Sequence, residues 1–339
     1  MRVLGMGNAL TDIIIRLDND EHLDHLGLPR GSMQLVDEKR SKEILDYFRQ
    51  NDMKIGASGN RPFTFSTGGS ASNAVTGCAA LGLKCGFIGS AGEDEYGKFY
   101  VNDLTERGMT PYFQTMQNTP SGTAITLVSP EGERTFATHL GAAYQLTTLF
   151  LKKEYFEGYD YFHIEGYLVQ NYELLETSMK MAHEAGAKVS FDMGSYNIVE
   201  ENLDFLRNII PKYVDVLFCN EREAQTFTGK TGNSALREAG KTCPLVAMKT
   251  GGNGSMLINK NIVYMIPPFP AERIDTNGAG DSYVSGFLYG LSKNYPLQTT
   301  GEIASLISSK VISIIGPKLG SEGWKMVKEE MSRIIPATS

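Results

Sequence analysis

Residues 159–191 read YDYFHIEGYLVQNYELLETSMKMAHEAGAKVSF, and this stretch decides the fold. Residues 159–164 are a short, mostly aromatic run ending in Ile164 and interrupted by Asp160, the pattern of a strand covered on both faces. Residues 172–185 repeat apolar side chains at helical spacing and stop at Gly186, where a glycine can end a helix. Residues 187–191 are apolar again and short. Strand, helix and strand in sequence form a βαβ unit, whose helix carries the chain back so that the two strands lie parallel.

The alternation spreads outward from there. Downstream, residues 203–209 and 222–228 predict helices, and residues 214–219 and 244–248 predict strands. Upstream, residues 74–81 and 96–107 predict helices and 85–90 a strand, while residues 2–6 read as a buried strand entering a glycine turn. The expected class is α/β with a mainly parallel sheet. One stretch breaks the pattern: residues 123–128 and 134–138 flank the turn-rich loop 129–133, which predicts a β-hairpin. With the β-branched run 13–17 it suggests a small sheet standing off the core, built from segments near 10–40 and 110–140 and able to act as a lid. The rest of the 339 residues would be the core of one chain, with the tail 336–339 frayed.

Composition narrows the class of function. With 41% hydrophobic and 21% charged residues the chain resembles an ordinary globular protein. A net charge of −7 without a Lys/Arg block argues against nucleic-acid binding. Cys78, Cys85, Cys219 and Cys243 lack metal-ligand spacing and read as reduced, buried thiols. The apolar N-terminus is too short to cross a bilayer and shows neither a basic leader nor a cleavage site, so a cytoplasmic protein with no membrane partner is expected.

The chemistry is concentrated at Asp275-Thr276-Asn277-Gly278-Ala279-Gly280-Asp281-Ser282, which opens an apolar helix from about residue 279 to 291. Bare amides at a helix start, reinforced by the helix dipole, attract an anion. Asp281 would repel that anion unless it serves as a base beside a phosphate whose charge a metal offsets. Two other glycine patterns do not qualify. Residues 92–99 end in Phe99, which has no hydroxyl for Mg²⁺, and carry three acidic residues where a P-loop cradles phosphate. Gly5-Met6-Gly7 lacks the third glycine of a dinucleotide fingerprint and is followed by a strand pattern.

DTNGAGDSYVSGF resembles the C-terminal signature of the ribokinase family, also called PfkB carbohydrate kinases. Three further motifs match that family in the expected order: Gly68-Gly69-Ser70-Ala71-Ser72-Asn73, Asn220-Glu221-Arg222-Glu223, and Lys249-Thr250-Gly251-Gly252-Asn253-Gly254. The resemblance runs from about Gly5 to Gly320 and implies a three-layer α/β/α core with a small β-sheet lid. It implies transfer of the γ-phosphoryl group of ATP to a primary hydroxyl. Asp281 would be the general base, and the amides of Gly278, Ala279 and Gly280 the anion hole. Asn220, Lys249, Thr250, Gly251, Gly252, Gly254 and Asn277 would hold ATP. Glu223 would organise Mg²⁺ through water, and Asp275 would belong to a monovalent-cation site for K⁺. Arg134 on the hairpin would swing toward the phosphates.

For the acceptor, Gly68 and Gly69 resemble a lid hinge and Asn73 a hydroxyl ligand. The segments 5–13 and 31–37 look more like the adenosine-kinase branch than like ribokinase. Asp12 would then hold ribose hydroxyls with Asn8 nearby, and Tyr167 would stack on a base. Glu165, beside Tyr167, leaves a simple-sugar acceptor such as ribose or fructose open. A non-catalytic sugar or nucleotide sensor is a further alternative, and a homodimer paired through the lid is a possible assembly.

Overall fold

The computed structural model describes residues 1–50, 64–131 and 133–335; Gly132 of the expected hairpin turn and the tail 336–339 lie outside the described residues. The helix of the quoted βαβ unit starts where Asn171 accepts a hydrogen bond from the Leu174 amide. It buries Leu174, Leu175, Ser178, Met179 and Ala182 along one face. It ends at Ala185, before Gly186 turns the chain at φ 85°. The strands on either side are buried at every position but one.

The large sheet comprises β1 (Arg2–Met6), β5 (Lys84–Gly92), β6 (Thr110–Met116), β9 (Tyr161–Glu165), β10 (Lys188–Asp192), β11 (Val216–Asn220), β12 (Leu245–Lys249), β13 (Ser255–Asn259) and β14 (Ile262–Ile266). Their spatial order is β14-β13-β12-β11-β10-β9-β1-β5-β6. All neighbours pair in parallel except β12–β13 and β13–β14. The chain runs outward from β1 to β5 and β6, then resumes at β9 on the other side of β1. That reversal is where open α/β sheets place their ligands, beyond the strands' carboxyl ends.

Helices cover both faces of this sheet. On one face lie α5 (Tyr172–Glu184), α7 (Leu203–Tyr213), α8 (Glu221–Thr228) and α9 (Gly232–Ala239), whose Met179, Ile210, Phe227 and Leu236 join one core. On the other lie α3 (Ser70–Ala80), α4 (Glu95–Glu106), α10 (Ala279–Ser292) and α11 (Leu297–Val311), whose Val75, Tyr100, Phe287 and Ala304 join a second core. The short α6 (Tyr196–Glu201) and the C-terminal α12 (Ser321–Ile334) complete the layers.

The small sheet holds β2 (Leu10–Arg16), β3 (Met33–Leu35), β4 (Thr64–Thr67), β7 (Gly122–Val128) and β8 (Arg134–His139), in the order β3-β8-β7-β2-β4. The expected hairpin is the antiparallel pair β7–β8. Its outer face carries Ile13, Ile15, Ile125, Leu127 and Ala137, packed against α1 (Glu21–Leu26) and α2 (Glu38–Gln50). One boundary differs from expectation: residues 110–116, at the start of the second expected lid segment, form β6 at the edge of the large sheet. No helix among the described residues is long and apolar enough to cross a membrane.

Candidate active site

A cleft of about 1000 Å³ opens at the carboxyl ends of the parallel strands, beneath the small sheet. The small sheet contributes Asp12 and Phe136, the strand ends contribute Asp192, Asn220 and Lys249, and the turn 276–281 closes one side. Gly278 starts α10 with φ 73°, a conformation that glycine adopts without strain. A side chain there would also strike Pro317, whose Cα lies 2.6 Å from the position of the missing Cβ. Of the three expected anion-hole amides, that of Ala279 already donates to the Thr276 carbonyl at 3.3 Å.

Asp281 lies in the first turn of α10 and faces this cleft. Its Oδ1 accepts from the Ser70 hydroxyl at 2.7 Å and its Oδ2 from the Asn73 side-chain amide at 2.8 Å. Burial raises its pKa above the usual carboxylate range; the bonds from Asn73 and Ser70 oppose the shift, and the charge of Asp192 adds to it. Asn73, expected as a hydroxyl ligand, lines the cleft but donates to Asp281, while its buried Oδ1 has no partner among the described residues.

Lys249, at the end of β12, reaches Asp192 at 2.7 Å and lies 3.2 Å from where a side chain at Gly280 would begin. Burial disfavours its charge, but Asp192 and Glu223 outweigh that and raise its pKa. Asp192 was absent from the sequence reading. It follows no motif, yet it ends β10 just as Asn220 ends β11, so its position after a parallel strand was the available signal. Glu223 forms a capping box with Asn220: Asn220 Oδ1 accepts from the Glu223 amide, and the Glu223 carboxylate accepts from the Asn220 amide at 2.7 Å. Burial pushes Glu223 up to about 7, Lys249 pulling it down and Asp192 pushing it further up. Gly251, Gly252 and Gly254 line the cleft, and a Cβ on either Gly251 or Gly252 would meet nothing within 4 Å. Thr250 is buried within that turn, donating to Gly254 O.

The acceptor side departs further from expectation. Asn8 and Glu165 are buried against each other and outside the cleft lining. Glu165 Oε1 accepts from the Asn8 amide at 2.7 Å and from its side chain at 3.0 Å, and Oε2 accepts from the Ala71 amide at 2.7 Å. Burial pushes Glu165 up to about 7 against the Ala71 and Asn8 amides. Glu165 therefore ties three segments together and is withdrawn from any acceptor. Asp12 does face the cleft. Burial pushes its carboxyl up to about 6 although Lys318 and Arg134 pull it down, and Asp281 adds to the rise. Gly68 makes room for it, since a Cβ there would lie 2.5 Å from Asp12 Oδ1, and Gly69 (φ 90°) makes room for the Asn8 carbonyl, which a Cβ would strike. Tyr167 lines the cleft with its hydroxyl donating to Gly194 O at 3.2 Å.

Asp275 stands beneath the turn. It accepts from the Asn277 and Gly316 amides and pairs with Arg134 Nη2 at 2.9 Å, at an angle poorer than a hydrogen bond's. The guanidinium of the hairpin thus sits at the carboxylate expected to hold K⁺ rather than among the amides of the anion hole.

Residues 48–322 match the pfkB family carbohydrate kinase profile. The chain belongs to this family. A probable sugar kinase protein from Rhizobium etli CFN 42 superposes with a TM-score of 0.84 at 27% identity, covering 98% of each chain. The adenosine kinase from Sinorhizobium meliloti superposes with a TM-score of 0.83 at 25% identity, covering 97% of this chain and 98% of that one. The 5-dehydro-2-deoxygluconokinase of Clostridium perfringens is 26% identical over 300 residues, 82% of this chain and 89% of that one. As a PfkB kinase the chain is an ATP-dependent phosphotransferase with an alcohol group as acceptor, and its acceptors are of the sugar or nucleoside class. The cleft fits a magnesium nucleotide: an open glycine flank at Gly251 and Gly252, a cation at Lys249, and the carboxylates Asp192 and Glu223 line it together.

Proposed function

We propose that this PfkB kinase phosphorylates the primary hydroxyl of a nucleoside, with an adenosine-like acceptor ahead of ribose or fructose. The observation that carries this reading is the pairing of Asp12 with two aromatic rings, Tyr167 and Phe136, in one cleft that Asp281 also faces. A carboxylate suits a vicinal diol, because its two oxygens accept from two hydroxyls. Aromatic walls suit a base. The sequestration of Glu165 removes the residue that would have favoured a simple sugar.

Asp281 is the general base that takes the acceptor's hydroxyl proton, held in place by Ser70 and Asn73. The amides at Gly278 and Gly280 and the Lys249 ammonium meet charge on the transferring phosphoryl group. Asn220, Asn277 and the turn from Thr250 to Gly254 border the ATP. Asp192 and Glu223 would hold Mg²⁺, in part through water, and the ion would neutralise charge on the phosphates when bound.

The test is ATP turnover with Mg²⁺ against adenosine, ribose and fructose, with and without K⁺. The highest kcat/KM is expected for adenosine, with no dependence on K⁺. An equal or higher kcat/KM for ribose or fructose would overturn the nucleoside reading. Binding of all three without turnover would favour a sensor.

A further inference from the structure

Lys318 lies outside the four motifs by which the chain resembles the family, yet its ammonium is inserted at the root of the small sheet. It donates to the carbonyl and the hydroxyl of Thr67, the last residue of β4. That hydroxyl in turn donates to Asp103 at 2.7 Å, which Arg107 grips from the same helix. Thr67 pairs with Thr11 and precedes Gly68-Gly69, so it sits directly behind Asp12. The two residues before Lys318 touch the other side of the cleft. Pro317 fills the space against Gly278, and the Gly316 amide donates to Asp275 at 2.8 Å. Asp275 closes a ring of contacts by pairing with Arg134 of β8.

We propose that Lys318 is a positioning residue through which the segment 316–318 couples the seat of the small sheet to the turn 275–281 that holds the phosphoryl group. Moving the small sheet outward withdraws two oxygens from a half-buried ammonium and leaves part of its hydrogen-bonding capacity unmet. The segment has to follow, and its proline is already in contact with Gly278. The charged groups facing the ammonium are Asp12, Asp103 and Asp281, which hold it charged, and Arg107, which with burial presses it down to about 8. The proposal rests on the kinase chemistry of the family and not on which acceptor is used, so its test has an arm without acceptor.

That arm compares amide hydrogen exchange of wild type, Lys318→Met and Lys318→Arg in Mg-ATP alone. In Lys318→Met, exchange is expected to rise about tenfold in both segments, 64–69 and 275–281. It should stay unchanged in β10, and Lys318→Arg should restore both segments. Thr67→Val, which removes one oxygen and keeps the carbonyl, should give the same pattern at smaller amplitude. With adenosine as acceptor, Lys318→Met should raise the acceptor KM and lower kcat while the Kd for Mg-ATP stays within about twofold. Faster exchange at 64–69 with 275–281 unchanged overturns the coupling, as does a uniform rise through β10 that marks a merely structural lysine. If the exchange pattern appears but adenosine is not turned over, the nucleoside reading fails and the coupling stands.

Discussion

As the proposed general base, Asp281 would have to be basic enough to take a hydroxyl proton in a turn proposed also to attract phosphate. Burial supplies the basicity, and the hydrogen bonds from Ser70 and Asn73 keep the carboxylate aimed rather than free to rotate. Asp281→Asn keeps the shape and removes the base. Turnover should fall by at least about a hundredfold while Mg-ATP binding, followed by calorimetry, stays largely intact. Near-normal turnover in that variant would remove Asp281 from the mechanism. Asp12 makes a second, separable prediction. Its carboxyl titrates at about 6, so below that pH it is neutral and has lost one of the acceptor sites a diol needs, and above it the full carboxylate is restored. The KM for the acceptor should therefore fall as pH rises through about 6, and kcat/KM should rise. In Asp12→Asn the acceptor KM should be high and flat with pH, whereas the pH dependence of kcat, which follows Asp281, persists. A wild-type acceptor KM independent of pH between about 5 and 8 would count against Asp12 as the diol ligand.

At the scale of elements, two glycines in the same cleft make opposite predictions. Gly278 adopts φ 73° and has Pro317 against it, so Gly278→Ala combines a left-handed strain with a clash. It should cost about 1–3 kcal/mol, read as a fall of several degrees in Tm. Gly252→Ala meets nothing within 4 Å and should leave Tm unchanged while weakening Mg-ATP, whose flank it would occupy. A Gly252→Ala variant with unaltered ATP affinity would show that the nucleotide does not approach that flank. The elements themselves were legible because buried parallel strands and amphipathic helices carry their own periodicity. The motif residues at strand ends and helix starts were legible through their resemblance to the motifs of the PfkB family. Residues 110–116 were misplaced because a half-buried edge strand next to a hairpin has the composition of either sheet. The contacts between Asn8 and Glu165, Arg134 and Asp275, and Lys318 and Thr67 join residues more than a hundred apart in sequence, so tertiary packing alone decides them. That is why the sequence placed Asn8 near the acceptor's hydroxyls and left a sugar open at Glu165 without showing that the two bond to each other.

The whole molecule turns on what the small sheet does with its two faces. Alternation along β2 sends Asp12 toward the cleft and Ile13 and Ile15 away from it, and in β8 Phe136 and Ala137 divide in the same way. The outer face is already occupied, since Leu23 and Leu26 of α1 and Ile44, Leu45 and Phe48 of α2 pack on it. A second copy would therefore find no apolar face on this sheet to cover. Among the described residues, what remains for pairing is the sheet's two edges, β4 of four residues and β3, where Met33 and Leu35 are 63% and 65% exposed over a strand of three residues. Edges so short offer few backbone bonds and little area, far below what a stable interface buries. Light scattering at micromolar concentration should accordingly return a monomer near 37.2 kDa. A stable dimer that dissociates when Met33 and Leu35 are both changed to lysine would place the interface on the β3 edge and reverse this expectation. A dimer indifferent to those changes would place it elsewhere. A monomer would have a consequence for mechanism: the residues lining the cleft, including Asp12 and Phe136 from the small sheet, are supplied by one chain, so turnover per molecule should not vary with enzyme concentration.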